Sequence, residues 1–248
     1  MKKNNLLSSG NTNAKTAKNL RESLILYLAP LAQNSKRVNV CPKASAGCAA
    51  ACLFKAGRGR FSNVITARIN RTELFLSDRT AFVHQLVTEI NKKAYKTTKE
   101  IAVRLNGTSD IKLVRFIENS GLSIAPNVVF YDYTKIIQKA GDFTMSSGNR
   151  YVVAFSRSED NESEAIEHLK NGGIVAAVFS ELPTQWRGFP VIDGDERDDL
   201  MIDIKGGTIL GLKAKGDAKK DTSGFVIHIR DNKEVFPISI FDALMSAN

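Results

Sequence analysis

The sequence predicts an α/β protein, a single TIM-like or partial (β/α) barrel with mostly parallel strands. Three observations predict it. Short apolar runs alternate with short helical segments along most of the chain. The runs are apolar at successive positions, as strands buried on both faces are. Polar residues gather directly after each run, where parallel architectures place their sites. A length of 248 residues suits one such domain, and no internal repeat or Pro-rich linker divides it.

The elements follow in order. Residues 1–20, rich in Asn, Ser and Lys, read as a flexible basic arm. Residues 21–248 then form one barrel-like domain with a cysteine loop after its first strand. That strand is "SLILYLAP", ended by Pro30. The loop turns helical at "CAAAC". Two long helices, "NVITARINRTELFL" and "DRTAFVHQLVTEINKKAYK", meet at Ser77-Asp78, a natural N-cap. Phe82, Val83, Leu86, Val87 and Ile90 form an apolar stripe on the second. "EIAVRLNGTSD" is a strand and "IKLVRFIENSG" a helix stopped by Gly121. "NVVFYDYTK" and "RYVVAFSRSE" are strands, "SEAIEHLKNGG" is a helix, and "IVAAVFSELP" is a strand. "FPVIDGDERDD" is a strand end with a loop, and "GTILGLKAKGD" and "GFVIHIRD" close the series.

The polar residues after these runs would share one rim. They are Asn106, Ser109 and Asp110; Asp132, Tyr133, Thr134 and Lys135; Ser156 and Ser158; Asp193, Asp195 and Asp198; and Lys213 and Lys215. One such cluster is an ordinary polar turn; recurrence over five strands suggests a site. Asp110, Asp132 and Asp193 are the catalytic candidates, because a strand-end carboxylate can act as nucleophile or general acid/base. Asp110 before "IKLVRF" is equally a plausible helix cap. Asn106, Ser109, Tyr133, Lys135, Ser156, Asp195, Lys213 and Lys215 are the candidates for holding substrate. Tyr131, Tyr133 and Trp186 could stack on a base.

All three cysteines lie in "CPKASAGCAAACLFKAGRGR", at Cys41, Cys48 and Cys52. An odd number does not suit a disulfide framework. If "CAAAC" is helical, Cys48 and Cys52 share a face one turn apart, and Gly47 lets Cys41 fold back. Three thiolates could then hold a metal. Zinc would need a fourth ligand from His84, a carboxylate or water. A [4Fe-4S] cluster held by three cysteines would leave one iron open. The plain alternative is three small apolar fillers of an Ala-rich helix. Lys43, Lys55, Arg58 and Arg60 are expected to favour thiolates; Lys55, Arg58 and Arg60 could equally hold a phosphate.

The net charge is +9, and its placement is more telling. From Met1 to Asn70 stand twelve basic residues and one acid, Glu22, so the remainder is slightly acidic. Such a segment is the footprint of a polyanion binder, and nucleic acid is the expected partner, DNA before RNA. No apolar run approaches the ~20 residues of a membrane span, and the first residues lack the apolar core of a signal peptide. The expected location is the cytoplasm. No GxxxxGK[ST] or GxGxxG is present, so nucleotide hydrolysis lacks a motif. "VIDGDERDD" is not an EF-hand loop. Among the histidines, His84 falls on the polar side of its helix, His168 sits in a last helical turn where a cation suits the dipole, and His228 points outward from a strand.

"LAP", "CPKASAGCAAACLFKAGRGRF", "ARIN", "VRLNGTSDI", "FYDYTK", "VIDGDE" and "GLKAKG…DTSGFV" together resemble a largely uncharacterised family of three-cysteine bacteriophage proteins, from about Leu26 to Val226. That resemblance implies a host-cell cytoplasmic protein. Two looser likenesses suggest chemistry. Radical-SAM barrels carry a three-cysteine cluster loop after the first strand and use S-adenosylmethionine, although their usual spacing is CxxxCxxC and here the gaps are six and three. Guanine transglycosylases, including phage enzymes that insert 7-deazaguanines into DNA, are barrels with strand-end aspartates and a cysteine-bound zinc, although their zinc cysteines lie late in the chain. The leading expectation is therefore a nucleic-acid-modifying enzyme that exchanges guanine bases, with an iron–sulfur radical-SAM-like enzyme next. A non-enzymatic binder of nucleic acid or a host factor is the third.

Overall fold

The structure is a computed structural model that describes residues 5–10, 16–52, 54, 57–230 and 233–234, with the backbone alone at 58, 230, 233 and 234. The strands are β1 (Leu7–Ser9), β2 (Glu22–Leu26), β3 (Ile101–Arg104), β4 (Val128–Thr134), β5 (Gly141–Thr144), β6 (Arg150–Ser156), β7 (Ile174–Phe179), β8 (Gln185–Trp186), β9 (Phe189–Asp193), β10 (Thr208–Lys213), β11 (Val226–Ile227), β12 (Ile229–Arg230) and β13 (Lys233–Glu234). The helices are α1 (Ala46–Ala50), α2 (Ser62–Ser77), α3 (Arg79–Ala94), α4 (Leu113–Asn119) and α5 (Glu162–Lys170).

One sheet organises the chain, in the order β1-β2-β3-β4-β6-β7-β10-β9-β8. Pairing is parallel from β2 through to β9 and antiparallel at β1 and β8. The strand sequences dictate this burial. "VVFYDYT" and "RYVVAFS" are apolar at successive positions, and the sheet is covered on both faces. Alternate residues go to opposite sides. Ile101, Val103, Val128, Phe130 and Val153 meet the Phe82–Leu86–Ile90 stripe of α3. Ala102, Val129, Tyr131, Val152 and Ala154 meet Met201 and Ile202 instead. Phe155 shares the face of Val153 and packs with Ala165 and Leu169 of α5. Helices α3, α4 and α5 thus cover one face, while a single 3-10 turn, Leu200–Ile202, covers the other.

The expected TIM-like closure does not occur. Among the described residues β1 and β8 end the path, and no pairing joins them. Both are short antiparallel strands, and among the described residues neither has a further partner. What holds is a mixed α/β protein with a mostly parallel open sheet, sequential from β1 to β7 apart from the β5 hairpin and reversed beyond β7.

Part of the expected flexible arm is a strand. Leu6 and Leu7 are buried, and their amides donate to the Glu89 carboxylate at 2.9–3.0 Å. Two leucines inside a polar, basic stretch carried that signal, and composition masked it. Strands β5 and β8 were also absent from the sequence reading. Residues 235–248 lie outside the described residues. Among the described residues no helix is long and apolar enough to cross a membrane.

Candidate cysteine site at the carboxyl edge of the sheet

The loop after β2 runs along the carboxyl ends of β3, β4 and β6. Backbone bonds tie it down: Val40 N–H donates to Leu31 O at 3.0 Å, and Asp110 N–H donates to Val40 O at 2.8 Å. Cys41 Sγ reaches Thr108 O at 3.6 Å, and Thr108 Oγ1 donates to Leu28 O at 2.5 Å. Ser45 then caps α1, accepting from Cys48 N at 3.2 Å. Glu159, just past β6, accepts from Ser45 Oγ at 2.8 Å and from Gly47 N at 2.6 Å. Gly47 is required by close approach. A Cβ there would lie 2.3 Å from Ser223 Oγ and 2.6 Å from Phe225 Cβ.

This seat brings the three thiols into one neighbourhood. Cys41 senses Cys52, Cys48 and Asp110, and Cys48 senses Cys52, Glu159 and Asp110. All three are half-buried free thiols. Among the described residues no three His, Cys, Asp or Glu side chains are arranged to hold a single metal ion. Burial pushes the Cys41 thiol up to about 11 and raises that of Cys48. This corrects the expectation that the local basic residues favour thiolates. Lys43 and Arg60 are exposed, while Lys55 and the Arg58 side chain lie outside the described residues. The cation that opposes burial at Cys48 is Lys135, from the end of β4. Lys135 is itself desolvated, which lowers its own pKa. Among the described residues its Nζ reaches the Ser156 and Arg157 carbonyls, at 3.4 and 3.3 Å, and the Phe225 ring at 5.3 Å, and it senses the charges of Glu159 and Asp110.

The rim aspartates are committed internally. Asp110 accepts from Thr134 Oγ1 and Lys135 N, each at 2.8 Å, and pairs with Lys139. It binds the β3 loop to the β4 end and is no cap, since α4 begins at Leu113. Asp132 is 1% exposed and accepts from Asn106 N at 2.7 Å, Asn106 Nδ2 at 3.1 Å and Tyr151 O–H at 3.0 Å. Asn106 in turn accepts from Ser109 Oγ and Ile111 N, so Asn106 and Ser109 are parts of that scaffold. Asp193 is exposed and caps the Asp195 amide, and Asp195 pairs with Lys215 and accepts from Lys213 N. Asp198 lies on the opposite face, buried against Arg104 at 3.1 Å and Tyr131 O–H at 3.0 Å. Tyr133 lies under the Arg104 guanidinium at 4.6 Å, on that same face. The Ser156 carbonyl, rather than its hydroxyl, contributes at the edge.

Of the predicted set, the structure gathers Cys41, Cys48, Cys52, Asp110 and Lys135 at one place. Glu159, Tyr27 and Arg68 also stand there and were missed. A lone Glu in "SRSED" carries no pattern. Arg68 reads as one more charge on an exposed helix. The histidines stay outside: His84 is exposed, and His168 is half-buried with its pKa lowered by desolvation, contrary to the expected cation. His228 is exposed and bonded to the Asp221 carbonyl.

Two outcomes test this account. Burial raises the Asp132 carboxyl to about 6, against the pull of Arg104 and Asn106. An unfolded Asp titrates near 3.9, so the native state holds this proton longer. The contribution is therefore full below about pH 4 and is lost as pH rises to about 6. Urea unfolding of Asp132→Asn should gain about 2–3 kcal/mol on the wild type across that window; parallel pH profiles would refute it. Second, Gly47→Ala should unseat α1. Cys48 should then react several-fold faster with a thiol reagent as it gains water, with a lower melting temperature. Unchanged reactivity would mean that the α1 contact does not shield the thiol.

No curated protein and no solved structure is found to match the chain. The family model described as Gene product 88 matches residues 3–229, which includes the cysteine loop and every parallel strand described above. The chain belongs to the gene product 88 family.

Proposed function

We propose that this protein is an iron–sulfur enzyme of the radical-SAM-like kind that acts on phage or host nucleic acid. The observation that carries the reading is the position of the three thiols: one loop, directly after the first parallel strand, seats them on the carboxyl edge of an open, mostly parallel sheet. Three cysteines holding a [4Fe-4S] cluster leave one iron for S-adenosylmethionine, and the cluster supplies the electron for its chemistry. Around it, Lys135 offers positive charge to thiolates, and Glu159 holds the loop in place.

A zinc ion bound by three cysteines draws their thiolates to one point, whereas in a cluster each cysteine binds its own iron. Among the described residues no three ligands converge on one metal ion, which suits the cluster better than a preformed zinc site. Guanine base exchange has less support, because Asp110 and Asp132 use their oxygens inside the scaffold. For the nucleic acid, Lys43, Arg60, Lys213, Lys219 and Lys220 are exposed. Lys220 also lines a cleft of about 340 Å³ between α1 and the 217–223 segment.

Anaerobic reconstitution with iron and sulfide should yield a brown protein with about four irons per chain. The Cys41→Ala/Cys48→Ala/Cys52→Ala variant should stay colourless. Stoichiometric zinc with no iron uptake would overturn the cluster. Affinity for a DNA oligonucleotide should fall about tenfold or more from low to moderate salt. Lys213→Gln/Lys219→Gln/Lys220→Gln should flatten that slope. A flat wild-type response would remove nucleic acid as the partner.

A further inference from the structure

Among the described residues Arg68 is the buried arginine that has no carboxylate partner. It is 8% exposed, and its Nε and Nη1 are buried with no hydrogen-bond partner among the described residues. The other deeply buried arginines have carboxylates: Arg157 has Glu162 at 2.6 Å, and Arg197 has Asp199 at 2.7 Å. Near Arg68 the favourable electrostatic neighbours are only Tyr27 and Cys52. A buried guanidinium without an anion is costly, so its persistence calls for an occupant.

The setting is built to present that cation. The guanidinium lies over the Tyr27 ring at 5.1 Å and the Phe54 ring at 5.3 Å. Tyr27 follows β2 and presses on Gly107 after β3, where a Cβ would come within 2.6 Å of the ring. Phe54 follows Cys52 by two residues. Thr72, fully buried, donates to Arg68 O at 2.9 Å and accepts from Ala29 N at 2.8 Å, pinning this turn of α2 to the strand exit. Aromatic faces hold the plane and leave Nε and Nη1 without a partner among the described residues.

We propose that Arg68 is the oxyanion receptor of the cysteine site, taking the carboxylate or phosphate of a small ligand seated beside Cys52. A guanidinium edge matches either group. Its burial beneath two rings suits a small molecule's terminal group rather than the backbone of a duplex. The inference rests on the cysteine edge being a ligand site, and not on which metal the thiols hold.

The test is calorimetric titration of the full chain, before and after iron–sulfide reconstitution, with two matched pairs of probes. One pair is S-adenosylmethionine and its decarboxylated analogue; the other is a nucleoside 5′-monophosphate and its nucleoside. One anionic member should bind at least about tenfold tighter than its partner, and the pair that responds identifies the oxyanion. Arg68→Gln should erase that preference with the melting temperature unchanged or raised, because no native partner is left unpaired. If Arg68→Gln does not fold, Arg68→Lys, which keeps the charge without the planar fork, should still lose most of the preference. A preference retained in the variants, or absent from both wild-type pairs, overturns the proposal. Iron content on the same samples separates the readings. Anion preference without iron overturns the cluster alone, and iron without anion preference overturns the receptor alone.

Discussion

Parallel pairing from β2 to β9 forces each connection to travel back along the sheet before the next strand begins. Here α3, α4 and α5 return over the same face. Their tops therefore deliver the loops after β2, β3, β4 and β6 to one edge. The cysteine loop, the Asn106–Asp110 turn, Lys135 and Glu159 meet there because of that winding. No local feature of the cysteine segment would bring them together. Among the described residues the Asp-rich segment after β9 fills the other face, with Met201 and Ile202 against the sheet and Asp198 on Arg104.

The buried charges divide into two groups. Away from the edge, each is answered. Arg104 meets Asp198, Arg197 meets Asp199, and Asp132 is surrounded by donors from Asn106 and Tyr151. Such networks position neighbouring strands and leave little free capacity for chemistry. At the edge the pattern reverses. Among the described residues Lys135 Nζ makes only long hydrogen bonds, to two carbonyls, Arg68 has unpartnered donors, and burial raises the Cys41 and Cys48 thiols.

The reading of the aspartates shows where a linear sequence misleads. Polar residues after an apolar run announce the end of a strand, and that inference held for Asn106, Asp110 and Lys135. Whether such a residue faces solvent or stitches two strand ends together depends on its neighbour in the sheet. Asp110 is closed off by Thr134 and Lys139, twenty-four and twenty-nine residues away. Asp132 lies two residues before the end of β4 and is buried. Arg104 and Asp198, ninety-four residues apart, find each other only because the post-β9 segment folds back.

By itself the sequence determined the alternation of strands and helices, the stripe of α3, the turn at Asp78 and the grouping of the cysteines. Those are local signals, set by side-chain period, capping chemistry and spacing. Tertiary structure alone decided that the sheet stays open, that the first leucines add a strand, and that the Cys41 and Cys48 thiols are raised rather than lowered in pKa. It also decided that Arg68 and Glu159 belong to the cysteine edge. The reason is physical: desolvation and charge pairing depend on which distant groups share a volume, and only strand order and crossover direction decide that.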